Sequence, residues 1–196
     1  LIGKSESNND EFDNLLFVRR DINEISIPTN IKIISPYAFD GCKNLTKVLI
    51  STNSNLQTIE SYAFSNTKIK EIFIPSKVSK ICEYAFVDCT NLKNVLISTN
   101  SNLQIIESYA FTDTKIEEIY FPPSLKELKE GWCYGTDKLT KIVISPSNSQ
   151  FKFIDDQYLI GKSDSSSDEF DTLLFGIRNI KEISIPSNIK IISSYA

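Results

Sequence analysis

The sequence predicts a solenoid with one parallel strand per coil, and three observations predict it. A tripeptide, Tyr-Ala-Phe, recurs along the chain; an apolar run begins about six residues after each copy; and the runs start 23 or 24 residues apart. The tripeptide stands at Tyr37-Ala38-Phe39, Tyr62-Ala63-Phe64, Tyr84-Ala85-Phe86 and Tyr109-Ala110-Phe111. The runs are Ile22-x-x-Ile25-x-Ile27, Leu45-x-x-Val48-x-Ile50, Ile69-x-x-Ile72-x-Ile74, Leu92-x-x-Val95-x-Ile97, Ile116-x-x-Ile119-x-Phe121 and Leu139-x-x-Ile142-x-Ile144. A last one, Ile180-x-x-Ile183-x-Ile185, follows after 41 residues instead.

Each element has its own reason. The last two apolar positions of a run alternate with polar ones, as a strand buried on one face requires. This spacing and period are the leucine-rich repeat signature, in which the strands stack into a curved parallel sheet. Tyr-Ala-Phe is expected on the convex side as a short helical or 3-10 turn. Tyr and Phe would fill the layer behind the sheet, and Ala would let neighbouring coils approach. One coil departs from the pattern with Gly131-Trp132-Cys133, which moves the bulk to the middle position. It directly precedes an insertion and is expected to be a local adjustment to it.

That insertion, Phe151–Ile177, predicts a projecting β-hairpin, with strands at Gln157–Lys162 and Asp171–Ile177 around a polar Ser163–Glu169 loop. Residues 45–91 and 92–138 match at an offset of 47, two coils per unit. Leu1–Ala38 and Leu159–Ala196 match at an offset of 158, with 28 of 38 positions identical. The expected organisation is a single leucine-rich repeat solenoid over 1–196, with a truncated hairpin at 1–18 and regular repeats at 19–150. The inserted hairpin occupies 151–177 and the start of a next repeat block 178–196. No terminal cap with a polar outer face is legible, so the chain is expected to be a piece of a longer array.

Composition narrows the function. The apolar fraction of 41% and charged fraction of 23% are those of a folded domain. A net charge of −4 gives no basic footprint for nucleic acid, and no apolar run is long enough to enter a bilayer as a helix. Histidine is absent, which removes the commonest general base and zinc ligand. The four cysteines, Cys42, Cys82, Cys89 and Cys133, lack the close pairing of a zinc site. Cys42 and Cys89 share one repeat position and Cys133 takes a Phe position, so these three read as small buried side chains. Disulfides, if formed, would join adjacent coils. No catalytic set, cofactor motif or metal site is read.

The phrase Ile27-Pro28-Thr29 … Ile34-Ser35-Pro36-Tyr37-Ala38-Phe39-Asp40-Gly41-Cys42-Lys43-Asn44-Leu45 recurs as Ile74-Pro75-Ser76 … Ile81-Cys82-Glu83-Tyr84-Ala85-Phe86-Val87-Asp88-Cys89-Thr90-Asn91-Leu92. It resembles the BspA-like branch of leucine-rich repeat proteins, and the resemblance covers essentially the whole chain. Proteins of that family occur in mucosal bacteria and parasitic protists, mostly at the surface or secreted, and several are linked to adhesion. The resemblance implies a class of function without a site, because the family shares no catalytic residues and its binding residues follow no motif.

The residues themselves point to the concave face. The position between the last two core residues of each run points away from the core, giving the column Ser26, Leu49, Phe73, Leu96, Tyr120, Val143 and Ser184. Its apolar members, Leu49, Phe73, Leu96, Tyr120 and Val143, would form a stripe roughly 20 Å long at ~4.8 Å per strand. Contiguous exposed apolar surface marks partner sites. The column two residues earlier, Glu24, Lys47, Glu71, Asn94, Glu118, Lys141 and Glu182, alternates acidic with non-acidic residues. Such alternation suits cross-strand pairing. The loops Asp10–Asp13 and Asp168–Asp171 cluster carboxylates but lack the Gly turn and distant Glu of a calcium loop, so they read as solvated hairpin tips. Asn44-Leu45-Thr46 is a formal glycosylation sequon whose middle residue opens a buried strand.

The expectation is therefore a non-catalytic binding module, extracellular or at the cell surface, recognising a protein such as a matrix component, or a glycan. The alternatives are a structural spacer or self-assembling fibre that associates end to end, and an intracellular interaction scaffold.

Overall fold

In the computed structural model of the chain, residues 1–5, 11–178, 181–182 and 184–196 are described. Strands β1 (Ile2–Gly3) and β2 (Asn14–Leu15) come first. Long and short strands then alternate: β3 (Glu24–Ser26), β4 (Ile33–Ile34), β5 (Lys47–Leu49), β6 (Thr58–Ile59), β7 (Glu71–Ile74), β8 (Lys80–Ile81) and β9 (Asn94–Ile97). The alternation continues through β10 (Ile105–Ile106), β11 (Glu118–Phe121), β12 (Glu127–Leu128) and β13 (Lys141–Ile144). Four strands follow: β14 (Phe151–Ile154), β15 (Tyr158–Gly161), β16 (Thr172–Gly176) and β17 (Ile191–Ile192).

The long strands are the apolar runs, and they pair in parallel in the register that the repeat dictates. Ile25 lies opposite Val48, Ile72 opposite Val95, Ile119 opposite Val95 and Ile142. Strands β7, β9, β11 and β13 form one ladder and β3–β5 another, with β5 and β7 side by side. Ile180 and Ile183, expected to open the next such strand, lie outside the described residues.

A second parallel ladder runs β2-β4-β6-β8-β10-β12, built from two-residue strands whose second residue is always Ile or Leu and which, from β4 on, precede the convex turns. Every coil therefore carries two sheet segments, with the core between them and the convex turns. The tripeptides are hydrogen-bonded turns rather than the helical or 3-10 segments expected, and the described residues contain no helix. Short-range bonds such as Ala63 N–H to Glu60 O close each turn, while alternate amides donate to the next coil: Phe39 N–H to Ala63 O, Phe64 N–H to Ala85 O, Phe86 N–H to Ala110 O, each 2.8 Å. With those N–H groups committed between coils, the i→i−4 bonds of a helix cannot form.

The tyrosines hold the left-handed region, with φ between 57° and 60° at Tyr37, Tyr62, Tyr84 and Tyr109. That conformation costs a side chain roughly 1–2 kcal/mol. Stacking offsets it: the rings follow one another at 5.0, 4.9 and 5.1 Å, nearly parallel, and an aromatic pair contributes ~0.5–1.5 kcal/mol beyond its buried area. Four residues on, a second left-handed column holds Gly41, Asn66, Asp88, Asp113 and Gly135, the residue types that tolerate it best. Behind the sheet, Phe39, Phe64, Phe86 and Phe111 stack at 4.7 to 5.2 Å and are fully buried.

The insertion differs from the projecting hairpin expected. It is a three-stranded antiparallel meander, β14-β15-β16, because Phe151–Ile154 adds a strand to the two anticipated. It does not project. Leu159 and Phe175 enter the main core, whereas Tyr158, Ile160 and Leu173 form a second buried cluster on the other face. The 158-residue offset holds in detail: Ile2 pairs with Leu15 as Ile160 pairs with Leu173, and β2 pairs with β4 as β16 pairs with β17.

Candidate partner-binding face

The strand period puts Ile72, Val95, Ile119 and Ile142 into the core and leaves their alternates on the open face of the ladder. Leu49 and Leu96 are 47% and 48% exposed, and Phe73, Tyr120 and Val143 are half-buried. Cross-strand register brings Phe73 beside Leu96 and Tyr120 beside Val143, and Ser26 borders Leu49. All five candidates thus lie in one column across β5 to β13. A groove of about 500 Å³ opens over its first half, lined by Leu49, Phe73, Lys47, Lys70, Glu71 and Asn94 among others.

The flanking charges pair across strands in two places, Lys47 with Glu24 at 3.7 Å and Lys141 with Glu118 at 3.0 Å. One column over, Lys93 pairs with Glu117 at 3.2 Å. These exposed pairs are worth little in stability. Their effect is to neutralise the ends of the stripe, while Lys70 and Glu71 at the groove have no ion-pair partner among the described residues.

The other sequence candidates have structural roles. Asp13 and Asp171 brace the two hairpin loops. Asp13 accepts from the Ser5 N–H at 2.8 Å and the Ser5 hydroxyl at 2.9 Å, and Lys32 approaches at 3.0 Å. Asp171 accepts from the Ser163 N–H and hydroxyl at 2.9 and 2.8 Å. The Ser5 amide, followed by Lys32, holds the Asp13 carboxyl down at about 2, and Ser163 likewise lowers Asp171. Among the described residues no group of three or more His, Cys, Asp or Glu is placed to hold a metal ion. Asn44 and Thr46 of the sequon are exposed and Leu45 between them is fully buried.

All four cysteines are buried and unbridged. Cys42 and Cys89 do not adjoin, because Thr67 stands between them in the column Cys42, Thr67, Cys89, Thr114, Thr136. Cys89 donates to Phe64 O at 3.1 Å and touches the Thr67 hydroxyl at 3.3 Å; Thr136 donates to Phe111 O at 2.7 Å. Burial pushes the Cys89 thiol up to about 12.

Parallel strands 23 or 24 residues apart, an apolar core behind them and an open ladder face define a leucine-rich repeat solenoid. The profile of the BspA type leucine rich repeat region matches residues 10–140 in six copies, and the chain belongs to that family. Among solved structures it is similar to the pneumococcal vaccine antigen PcpA, with a TM-score of 0.80 and 27% identity over 88% of this chain and 42% of that one. Two others share the fold. A leucine rich cell surface protein of Faecalibacterium prausnitzii has a TM-score of 0.64 and 20% identity, over 86% of this chain and 50% of that one. A leucine-rich repeat protein of Eubacterium ventriosum has 0.60 and 19%, over 90% and 45%. The chain therefore spans half or less of each of these three structures. No curated protein sequence matches it. Among the described residues no helix is long and apolar enough to cross a membrane.

Proposed function

We propose that this chain is a non-catalytic recognition module of a secreted or surface-attached protein, adhesive in role, that binds a protein or glycan through the stripe Leu49, Phe73, Leu96, Tyr120 and Val143. The observation that carries the reading is the column itself. Five apolar side chains stand in register on a face that its neighbours leave open, where a folded domain otherwise gains by placing polar residues. Aromatic anchors between aliphatic ones are the composition of interface centres. The non-catalytic part rests on the carboxylates: Asp13, Asp171, Glu24 and Glu118 are held by Ser or Lys partners that give them structural work. The surface location rests on kinship, since the F. prausnitzii relative is described as a cell surface protein and the pneumococcal one as a vaccine antigen.

The test is a binding screen of the chain against immobilised matrix proteins and a glycan array, repeated with Phe73→Ser and Tyr120→Ser. Each substitution should weaken binding at least tenfold while leaving the circular dichroism spectrum unchanged. Undiminished binding by the double variant would remove the stripe from the mechanism.

A further inference from the structure

Within the regular coils, backbone hydrogen bonds tie each turn to the next along the long-strand ladder, which ends at β13, and on two further sides. On the short-strand side Glu60 N–H reaches Ile34 O, Cys82 reaches Ile59, Glu107 reaches Ile81 and Lys129 reaches Ile106, all within 3.0 Å. On the convex side the direction reverses, ending with Phe111 N–H to Trp132 O and Asp113 N–H to Tyr134 O. Both series stop at the same place. Among the described residues no backbone N–H reaches Lys126 O or Leu128 O, and Gly131, Cys133 and Gly135 donate to no following coil.

The meander stands there. Its Leu159 and Phe175 close the core behind Phe121 and Trp132, with ring centroids 5.6 Å apart for Phe121–Trp132 and 6.2 Å for Trp132–Phe175. Its opposite face, Tyr158, Ile160 and Leu173, begins a new cluster with Ile189 and Ala196. On that far side the ladders resume: Lys190 N–H reaches Asp171 O and Ser193 N–H reaches Leu173 O. The convex carbonyls there have no preceding turn to receive from, and an arginine supplies the donors. Arg178 gives its two Nη groups to Ala196 O and Tyr195 O at 3.1 and 2.8 Å. Arg20 likewise donates to Ala38 O and Tyr37 O at 2.9 and 3.1 Å after the earlier copy of the meander, where Ala38 O also receives the Val18 N–H at 3.1 Å.

Gly131 belongs to this arrangement. It keeps the left-handed φ of the tyrosine column, +63°, but a Cβ there would lie 2.5 Å from the Tyr109 ring. The vacancy lets Tyr195 of the next block meet Tyr109 edge to face at 6.0 Å, with Tyr134 on its other side at 4.9 Å. The Gly131-Trp132-Cys133 departure thus sets the contacts across the meander.

We infer that the inserted meander is an internal cap, ending one solenoid block with one face and starting the next with the other. The blocks are joined by side-chain contacts, among them Asn148 donating to Pro122 O and Leu125 O and accepting from the Phe151 N–H. Among the described residues no backbone ladder runs between the blocks, and they open as separate cooperative units. An unbroken solenoid loses protection gradually toward an end, because each coil leans only on its neighbours. A capped joint gives a step.

The test is amide hydrogen exchange on the intact 196-residue chain. One plateau of protection should run from Ser35 to Lys129, with a drop of at least tenfold to a second plateau at Ile177, Lys190, Ile191 and Ser193. Phe175→Leu should lower the second plateau about tenfold and leave Glu107 and Lys129 unchanged. Trp132 is the only tryptophan, so its fluorescence in urea reports the joint and should change at lower urea than the far-ultraviolet signal of the coils. Protection that declines coil by coil, a Phe175→Leu effect spread equally over both sides, or coincident urea transitions would each overturn the inference.

Discussion

Cys89 shows how a repeat makes a residue's role readable from its column. Its neighbours there, Thr67 and Thr114, have nearly the same size and a stronger donor, and Thr136 bonds the Phe carbonyl one coil back as Cys89 does. The position requires a small donor, not a thiol. Cys89→Thr should therefore leave the unfolding midpoint nearly unchanged. Cys89→Val keeps the volume but strands the Phe64 carbonyl, and should cost about 1–3 kcal/mol in urea denaturation. Equal effects of the two would mean that packing alone sets the position. Gly131 is the converse case, where the column's own residue is excluded. Gly131→Tyr restores the tyrosine column in sequence, yet its Cβ meets the Tyr109 ring and displaces Tyr195. Lower thermal stability than wild type is expected, whereas a gain would show that the ring has room.

At the scale of elements, the two hairpin loops hang on buried aspartates. Asp13 and Asp171 titrate below their ordinary value of 3.8 in the folded chain, Asp13 at about 2. A carboxyl lowered on folding contributes stability that is fully present above its unfolded value and is lost as pH falls through its folded one. Stability should therefore drop between pH 4 and pH 2. Asp13→Asn, measured by urea midpoints across that range, should start lower at pH 5 and show a shallower drop. An unchanged slope would mean that other carboxylates carry the acid response. The loop sequences drew attention for their clustered carboxylates, but which one turns inward depends on Ser5 and Ser163, eight residues away across a hairpin.

Over the whole molecule, regularity and interruption divide the work. The coils set five apolar residues at fixed spacing on one face, the arrangement on which the proposed recognition rests. The meander sets where that surface ends and restarts. Much of this was legible: the strand phase placed Leu49, Phe73, Leu96, Tyr120 and Val143 on the open face, and the charge column anticipated the pairs Glu24–Lys47 and Glu118–Lys141. The second ladder was less so, since two-residue strands leave no alternation to read. The turns were expected to be helical because Tyr-Ala-Phe alone does not reveal that its amides are spent between coils. The column Gly41, Asn66, Asp88, Asp113, Gly135 carried that signal in its composition.

By itself the sequence determined the coil, its period, its core and the side chains left outside. In a repeat, a residue's neighbour in space is its counterpart one period away, so local pattern predicts tertiary contact. Only the tertiary structure decided what happens where the period breaks. Between Phe151 and Ile177 no counterpart sits one coil behind. The partners of Phe175, Trp132, Arg178 and Tyr195 were therefore fixed by how the meander packs against each block's exposed end, through contacts that no spacing in the chain encodes.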